Sequence, residues 1–442
     1  MTEAAQHRPD SGKHDAMSPS SETPQSGSPH ALPALLPPLT GYRILDLTTF
    51  LSGPFCTMIL GDLGAEVVKV ESPEGDSSRA IPPHFVGDDS AYYLGANRNK
   101  KSLAIDMKQP EGLALVKRLI AESDVVVENF RPGVAARIGL DIDALRVATP
   151  SLIWASISGF GQTGPWRDKP AYDMIVQALS GVMSLTGEPD RPAVRLGIPA
   201  GDMVAGMYAG IAINAALVDR ERRGGRHGQG RVIDISMLDC QLAMLSYQST
   251  YSLVAGITPR PQGARHDSIP TYRSFIGGDG RELVVTANTD RMWRGLCEGL
   301  GLTDLVADPR FASGGKRLAN RDVLWPLLEA AFLSKPAADW IDHLNALGVP
   351  IALIKNVPEA LEDARQAGRD MVVHLEDDAG HQADVVGNPI KFVGEPAVAA
   401  SYPPALGADA HAVLSDWLHW DADEVDALQE KGVISSRLVP TP

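Results

Sequence analysis

The chain has 442 residues, of which 44% are apolar and 21% charged, as expected for a folded protein with about two or three domains. Its formal net charge of −15 argues against binding to nucleic acid, because phosphate backbones are bound by clustered lysines and arginines. The three cysteines, Cys56, Cys240 and Cys297, form no CxxC pair. This argues against a disulfide framework or a cysteine zinc site and favours a reducing, cytoplasmic compartment.

The N-terminal residues 1–39 are rich in Ser, Pro, His and Gly and lack apolar periodicity, so a disordered tail is predicted. The apolar run 31–39 is broken by prolines and has no basic flank, which argues against a signal peptide. No segment offers about 18 uninterrupted apolar residues, so no membrane span is predicted. The most apolar stretch, 203–218, is interpreted as a buried helix.

From residue 41 onward, short β-prone runs alternate with helical ones. Strands are predicted at 43–47, 66–70, 102–106, 124–128, 152–158 and 232–236, and helices at 54–63, 110–122 and 203–222. Because the strand runs are mainly apolar, the pattern predicts an α/β domain with a mostly parallel sheet covered by helices on both faces. Residues 40–235 are assigned to this large domain.

The pattern changes after residue 260. A strand predicted at 282–286 lies among amphipathic helices such as 325–333, which indicates a smaller α+β domain over 260–345. Residues 346–442 are expected to form a linker and a return to the large domain. Several His, Asp and Glu residues in 374–381 lack the spacing of a metal site, so no metal is predicted.

Asp202 is the principal candidate for catalysis. It precedes the long apolar helix and is predicted at the N-cap, where free backbone N–H groups would keep its carboxylate ionised. An ionised carboxylate in a partly dry cleft can attack an activated acyl group, although Asp is also a common helix cap. Asp173, which opens another predicted helix, is the competing carboxylate.

The loop 48–54 joins the first predicted strand to the first helix. In an open parallel sheet, ligands bind beyond the carboxyl ends of strands, and a helix N-terminus attracts anions. The chain has no G-x-G-x-x-G at this position, which argues against a dinucleotide-dependent dehydrogenase.

Two further segments carry residues suited to a nucleotide. Asn129, Phe130 and Arg137 follow a predicted strand and suit a purine with phosphate, although a surface Arg beside a core Phe explains them equally well. Lys100 and Lys101 belong to a basic cluster before another strand. That cluster is either a solvated turn or a contact for ligand phosphates or adenine.

Taken together, these segments resemble the class III CoA-transferases, the CaiB/BaiF family that includes formyl-CoA transferase. Five ordered motifs carry the resemblance, at 44–71, 97–108, 127–133, 201–207 and 228–237. The resemblance runs from about residue 41 to beyond residue 387. It implies a Rossmann-like large domain, a small domain and a homodimer of interlocked rings.

The resemblance also implies a reaction. Asp202 would be the nucleophile, forming an aspartyl anhydride and an aspartyl-CoA thioester while CoA passes from an acyl-CoA to a carboxylic acid. CoA or acyl-CoA would enter as a substrate, and no permanently bound cofactor would be needed. By analogy, CoA would contact residues of the first loop, a strand end and the basic cluster: Thr49, Phe50, Leu51, Ser52, Lys100, Lys101, Asn129, Phe130 and Arg137.

The chain departs from the family where relatives carry a glycine-rich lid. The corresponding segment 262–267 has no glycine run, so the sequence leaves open whether a lid closes over the nucleophile. Arg265 and His266 in this segment are candidates to face an acidic substrate, and Arg195 is a further candidate for a distal carboxylate. Succinyl-CoA is the expected donor.

Two alternatives to CoA transfer stay open from the sequence. One is an α-methylacyl-CoA racemase, which uses a His–Asp pair for proton transfer. The racemase histidine corresponds to Tyr172 here, so the obvious acid/base pair is missing. The other alternative is a non-catalytic CoA-binding protein.

Overall fold

The computed structural model describes residues 35–436. The predicted disordered tail therefore lies outside the described residues up to residue 34. At its end the prediction is wrong, because Leu39 is buried and its backbone N–H donates to the Leu63 carbonyl over 2.9 Å. Leu39 belongs to a hydrophobic cluster with Ile44, so folded structure begins before residue 40.

Fourteen strands occur among the described residues. They are β1 Arg43–Asp46, β2 Glu66–Glu71, β3 Phe85–Val86, β4 Asp89–Ser90, β5 Lys100–Ile105, β6 Val125–Glu128, β7 Ile153–Ser158, β8 Val232–Ser236, β9 Tyr272–Ile276, β10 Glu282–Thr286, β11 Ile351–Leu353, β12 Val372–Glu376, β13 Gln382–Val386 and β14 Ile434–Ser435.

Eighteen α-helices occur in the same described range. They are α1 Ser52–Asp62, α2 Ala91–Leu94, α3 Pro110–Ala121, α4 Val134–Arg137, α5 Ile142–Ala148, α6 Asp173–Leu179, α7 Val182–Leu185, α8 Ala200–Arg222, α9 Met237–Met244, α10 Tyr247–Ala255, α11 Asp290–Gly299, α12 Asp304–Ala307, α13 Gly314–Ala319, α14 Arg321–Phe332, α15 Ala337–Ala346, α16 Val357–Gln366, α17 Ala410–Leu418 and α18 Ala422–Glu430.

The main sheet has seven strands in the order β14-β5-β2-β1-β6-β7-β8. All neighbours pair in parallel except β14, which runs antiparallel to β5. This confirms the predicted α/β class and the dominant parallel sheet. Both faces are covered, since alternate residues of β1 enter different cores: Ile44 packs in one hydrophobic cluster and Leu45 in the other.

A third core lies in the second half of the chain. Strands β9, β10 and β11 form an antiparallel sheet, and helices α11, α14 and α15 supply apolar side chains to the same cluster. The chain then returns to the main sheet, where Trp417 and Ile434 join the core beside β5. The boundaries assigned to the two domains stay predictions.

Helix α8 is the one described helix that is long and apolar enough to cross a membrane by length and composition. Its Ala205, Ala209 and Ile213 are fully buried in the core, whereas Met207 and Ile211 are exposed. The prediction of a buried helix thus holds for one face of α8, and the other face presents an uncovered apolar surface.

The strand order reverses at β1. β2 lies on one side of β1 and β6 lies on the other, so the connections that leave β1 and β6 diverge. The divergence opens a crevice at the carboxyl ends of these strands, which is where open α/β sheets bind ligands. The loop after β1 and the segment after β6 meet there.

Candidate active site

A cavity of about 670 Å³ occupies this crevice. The structure brings together many of the residues that the sequence nominated. Those that line the cavity are Thr49, Phe50, Ser52, Asn129, Phe130, Arg195 and Asp202. They come from the loop after β1 and the start of α1, from the residues after β6, and from the first turn of α8 with the segment before it, so a single pocket joins three separate motifs.

The loop after β1 is fixed by hydrogen bonds to its backbone. The Thr49 N–H donates to Asn129 Oδ1 over 2.9 Å, and Asn129 Nδ2 donates to the Thr49 carbonyl over 2.8 Å. The Phe50 N–H donates to Asp76 Oδ1 over 3.2 Å and holds Phe50 at a φ of 63°. Asn129 therefore lines the cavity while its amide braces the loop, which preorganises the wall for a ligand.

A buried charge network lies beneath this loop. The Lys69 ammonium lies 2.9 Å from Asp76 and donates to the Thr48 carbonyl over 2.7 Å. Burial raises the pKa of the Asp46 carboxyl, but Lys100 and Lys69 outweigh burial and hold this pKa well below its usual value. Because every member has an oppositely charged neighbour, the network can fix the loop without leaving an isolated buried charge.

Lys100 belongs to this network, and its predicted adenine contact does not match the structure. Its ammonium donates to Asp46, Asn97 and the Pro54 carbonyl over 2.9–3.0 Å. Burial lowers the pKa of Lys100 to about 8, although Asp46 acts in the opposite direction. Lys100, the first residue of β5, thus points into the interior, where Asp46 pairs with its charge.

The remaining CoA-contact candidates do not line the cavity. Lys101 is partly exposed and its ammonium lies 2.5 Å from Glu66. Arg137 is exposed at the end of α4, and Leu51 immediately precedes α1. Their contacts with CoA stay predictions.

Asp202 is the third residue of α8, and its predicted N-cap position is wrong. The helix begins at Ala200, with Pro199 as the cap residue. The Gly201 N–H donates to Asp173 Oδ1 over 2.7 Å, so the competing carboxylate provides the cap. Asp202 is left free of the capping role, and its carboxylate lines the cavity.

The surroundings of Asp202 make its carboxylate unusually basic. Burial and the nearby Asp173 carboxylate raise the pKa of Asp202 to about 6, while a hydrogen bond from the Ser52 hydroxyl lowers it. At neutral pH the group is still mainly ionised. Burial and Asp202 also raise the pKa of Tyr92, another cavity residue, to about 12, so its phenol stays neutral.

We expect an acidic limb near pH 6 in the profile of kcat/KM against pH, because protonated Asp202 is not a nucleophile. Activity should fall as the pH drops below the pKa of Asp202. Ser52→Ala removes the hydrogen bond that lowers this pKa, so the limb should move to higher pH by up to about one unit. Initial rates from pH 5 to 8.5 measure the acidic limb of the wild type and that of Ser52→Ala. Coincident profiles for the two proteins would contradict the assignment of this limb to Asp202.

Four cationic side chains line the same cavity: Arg131, Arg167, Lys169 and Arg195. Sequence reasoning nominated Arg195 but missed the other three and Tyr92. Arg131 directly follows Phe130, so its place beside a nominated residue was a usable signal. Arg167 and Lys169 lie in an irregular segment after β7, where no periodicity indicates which side chains face a site.

Arg265 and His266, predicted to face an acidic substrate, lie outside the cavity lining. Arg265 lies 3.0 Å from Glu188, which neutralises its charge. The His266 ring stacks between Tyr247 and Tyr272. Both side chains are therefore engaged in structural contacts elsewhere.

Within residues 35–436, no group of three or more His, Cys, Asp or Glu side chains is placed to hold a metal ion. In the acidic segment noted in the sequence, His374 pairs with Asp384 over 2.9 Å and His381 with Asp377 over 2.8 Å. These histidines have carboxylate partners within one hairpin and its turn.

A crevice at the switch point of a parallel α/β sheet, lined by a buried carboxylate and several cations, is suited to binding an anionic ligand. Residues 39–410 match the family described as CoA-transferase family III. The chain belongs to this family and is a CoA-transferase, which confirms the resemblance found in the sequence.

Individual relatives agree with the family assignment. The chain is 36% identical to the succinyl-CoA:glutarate CoA-transferase of Mus musculus, over 92% of this chain and 93% of that one. It is 38% identical to the succinate–glutarate CoA-transferase of Agrobacterium fabrum, over 87% and 97% of the two chains. The crystal structure of a CaiB/BaiF family protein from Brucella suis superposes with a TM-score of 0.77, at 36% identity over 86% and 99%.

Proposed function

We propose that the protein moves CoA from an acyl-CoA donor to a carboxylic acid acceptor through covalent intermediates on Asp202. The observation that carries this proposal is the Asp202 carboxylate itself. It lies in the switch-point cavity, and burial beside Asp173 makes it more basic than an ordinary Asp. A more basic carboxylate is a better nucleophile once it is ionised.

The proposed reaction consists of four balanced steps. The Asp202 carboxylate attacks the acyl carbon of the donor thioester, giving an aspartyl anhydride and CoA thiolate. The thiolate attacks the Asp202 acyl carbon, giving an aspartyl-CoA thioester and the free donor acid. The acceptor carboxylate attacks this thioester, which forms a second anhydride and releases CoA thiolate. The thiolate then attacks the acceptor acyl carbon, which gives the acceptor acyl-CoA and frees the Asp202 carboxylate. No electrons are lost or gained, so the scheme needs no redox cofactor.

The side chains around Asp202 support the same proposal. Ser52 begins α1 and is buried, and its hydroxyl hydrogen-bonds to Asp202. That bond limits the rise in the pKa of Asp202. Asp173 is held by Gln177 over 2.7 Å and by the Gly201 N–H, so it acts as a fixed neighbour of the nucleophile.

We infer that the acids exchanged are dicarboxylic, with succinyl-CoA as donor. The relatives from Mus musculus and Agrobacterium fabrum are named for succinate and glutarate. The cations that line the cavity offer partners for both CoA phosphates and a second carboxylate. An α-methylacyl-CoA racemase would need a base beside Asp173, and Tyr172 occupies that position with an exposed phenol ring.

We further propose that the enzyme is the interlocked, ring-like homodimer implied by its family. Helices α6 and α8 are in contact and leave apolar side chains uncovered, including Met174 and Ile211. On α10, Leu253 and Val254 are more than 80% exposed. Exposed apolar side chains in such number are typical of a protein interface. A cytoplasmic location also stays a proposal.

The covalent proposal is tested by trapping. Incubation with succinyl-CoA and hydroxylamine should inactivate the enzyme and convert Asp202 to a hydroxamate, because hydroxylamine attacks an aspartyl-CoA thioester. Peptide mass spectrometry should find the modification at Asp202 and none at Asp173, which serves as an internal control with a similar carboxylate. Modification at Asp173, or inactivation that needs no acyl-CoA, would refute the assignment.

A further inference from the structure

Arg195, like Arg131, has no ion-pair partner among residues 35–436, whereas Arg167 and Lys169 have close neighbours. No carboxylate of these residues lies within ion-pair distance of the Arg195 guanidinium, and its one hydrogen bond is a 3.4 Å contact to the Leu196 carbonyl. Arg167 lies 3.5 Å from Asp168, and the Lys169 ammonium lies 4.0 Å from the centre of the Trp166 ring. Arg195 thus presents an uncompensated positive charge to the cavity.

Hydrogen bonds fix the backbone that follows Arg195 relative to the start of α8, which carries the nucleophile. The N–H of the next residue, Leu196, donates to Gln177 Oε1 over 2.9 Å. Gln177 Nε2 donates to Asp173, and Asp173 accepts the N–H of Gly201, the residue before Asp202. Gln177 is fully buried, so this connection is shielded from water. Each end of the segment that leads into α8 is therefore held by the same pair of side chains.

Arg195 reaches the cavity from a different segment of the chain than the predicted nucleotide contacts. Arg131 follows Phe130 at the end of β6, among residues that the proposed function assigns to CoA. Arg195 instead precedes α8, seven residues before Asp202. A cation on the nucleophile's own segment is suited to the acyl part of the substrate rather than to the nucleotide.

We propose that Arg195 binds the distal carboxylate of the dicarboxylic acid whose other carboxylate reacts at Asp202. This inference rests on the proposed function and gives Arg195 the role of selecting dicarboxylic over monocarboxylic acids. A guanidinium binds a carboxylate through two parallel hydrogen bonds, which fixes the orientation of the acid as well as its charge.

The test is a competition between two acceptors of equal carbon number. Full-length enzyme receives succinyl-CoA with glutarate and pentanoate together, and mass spectrometry measures glutaryl-CoA against pentanoyl-CoA. Both acids partition the same aspartyl-CoA intermediate, so the ratio of products is independent of the donor half-reaction. Arg195→Gln should lower this ratio by about 10- to 100-fold, the loss expected for one charge-assisted pair.

Matched variants separate the possible outcomes. Arg195→Lys should retain part of the preference because it keeps the charge, and Arg265→Gln should leave the ratio unchanged because Glu188 already neutralises Arg265. An unchanged ratio in Arg195→Gln, a wild type that prefers pentanoate, or a larger loss in Arg167→Gln would overturn the role of Arg195. If the wild type transfers CoA to neither acid nor to other dicarboxylates, the proposed function itself fails.

Discussion

Replacement of Asp202 by Asn should reduce CoA transfer by at least about 10⁴-fold, the scale seen when the group that forms a covalent intermediate is lost. Asn nearly matches Asp in shape, so it preserves the first turn of α8 and the cavity wall. The amide cannot form the anhydride, and both half-reactions stop. Steady-state transfer assays measure the loss, and titration calorimetry with CoA should show binding within a few-fold of wild type.

Asp173→Asn is the matched control for this prediction. The Asn side chain can still accept the Gly201 N–H, so the start of α8 stays capped. Loss of the Asp173 charge should lower the pKa of Asp202 towards its ordinary value and leave most of the activity at pH 8. Full turnover by both Asp202→Asn and Asp202→Ala would reject the covalent mechanism.

The main sheet was predictable because its strands satisfy a simple physical rule. A strand buried on both faces must be apolar at nearly every position, and 124–128 and 152–158 are recognisable from composition alone. The observed β6 and β7 begin one residue later than these predictions. The strand order determines where the switch-point crevice lies. Because the crevice lies at the end of β1, the loop after β1 lines the candidate active site.

The details that failed depend on contacts between distant segments. Asp202 was predicted at an N-cap because Asp commonly caps helices, but Asp173 supplies the cap from α6. The local sequence 200–202 does not indicate that Asp173, almost 30 residues earlier, will accept a hydrogen bond from the Gly201 N–H. Tyr92 likewise reaches the cavity from a short helix with no motif. Such residues are fixed by tertiary packing, which periodicity does not encode.

The paired lysines at the start of β5 show the same limit most clearly. Lys100 and Lys101 are chemically identical neighbours, and no sequence pattern distinguishes their roles. The pleat of a strand sends adjacent side chains to opposite faces, so Lys100 enters the interior while Lys101 is partly exposed. The basic cluster predicts a solvated turn or a ligand contact, and the buried ion pair of Lys100 with Asp46 matches neither.

Replacement of Lys100 by Met should therefore cost stability rather than CoA affinity. Met retains much of the apolar part of the lysine side chain. It cannot donate the hydrogen bonds that Asp46 and Asn97 accept from the Lys100 ammonium. Removing one partner of a buried ion pair typically lowers the free energy of unfolding by about 3–5 kcal/mol. Lys69 remains near Asp46 and limits the loss to the lower part of this range. Urea unfolding at pH 7, with m-values compared, measures the change.

Lys101→Met is the matched control, since it makes the same chemical change one residue later. Its ion pair with Glu66 is partly exposed, and such pairs contribute about 0–1 kcal/mol. A small loss of unfolding free energy in Lys101→Met and a large loss in Lys100→Met would establish that burial decides how much each ion pair contributes to stability. If Lys100→Met instead unfolds like wild type and binds CoA about tenfold more weakly, Lys100 contacts the ligand, and the charge network beneath the loop does not stabilise the fold as described.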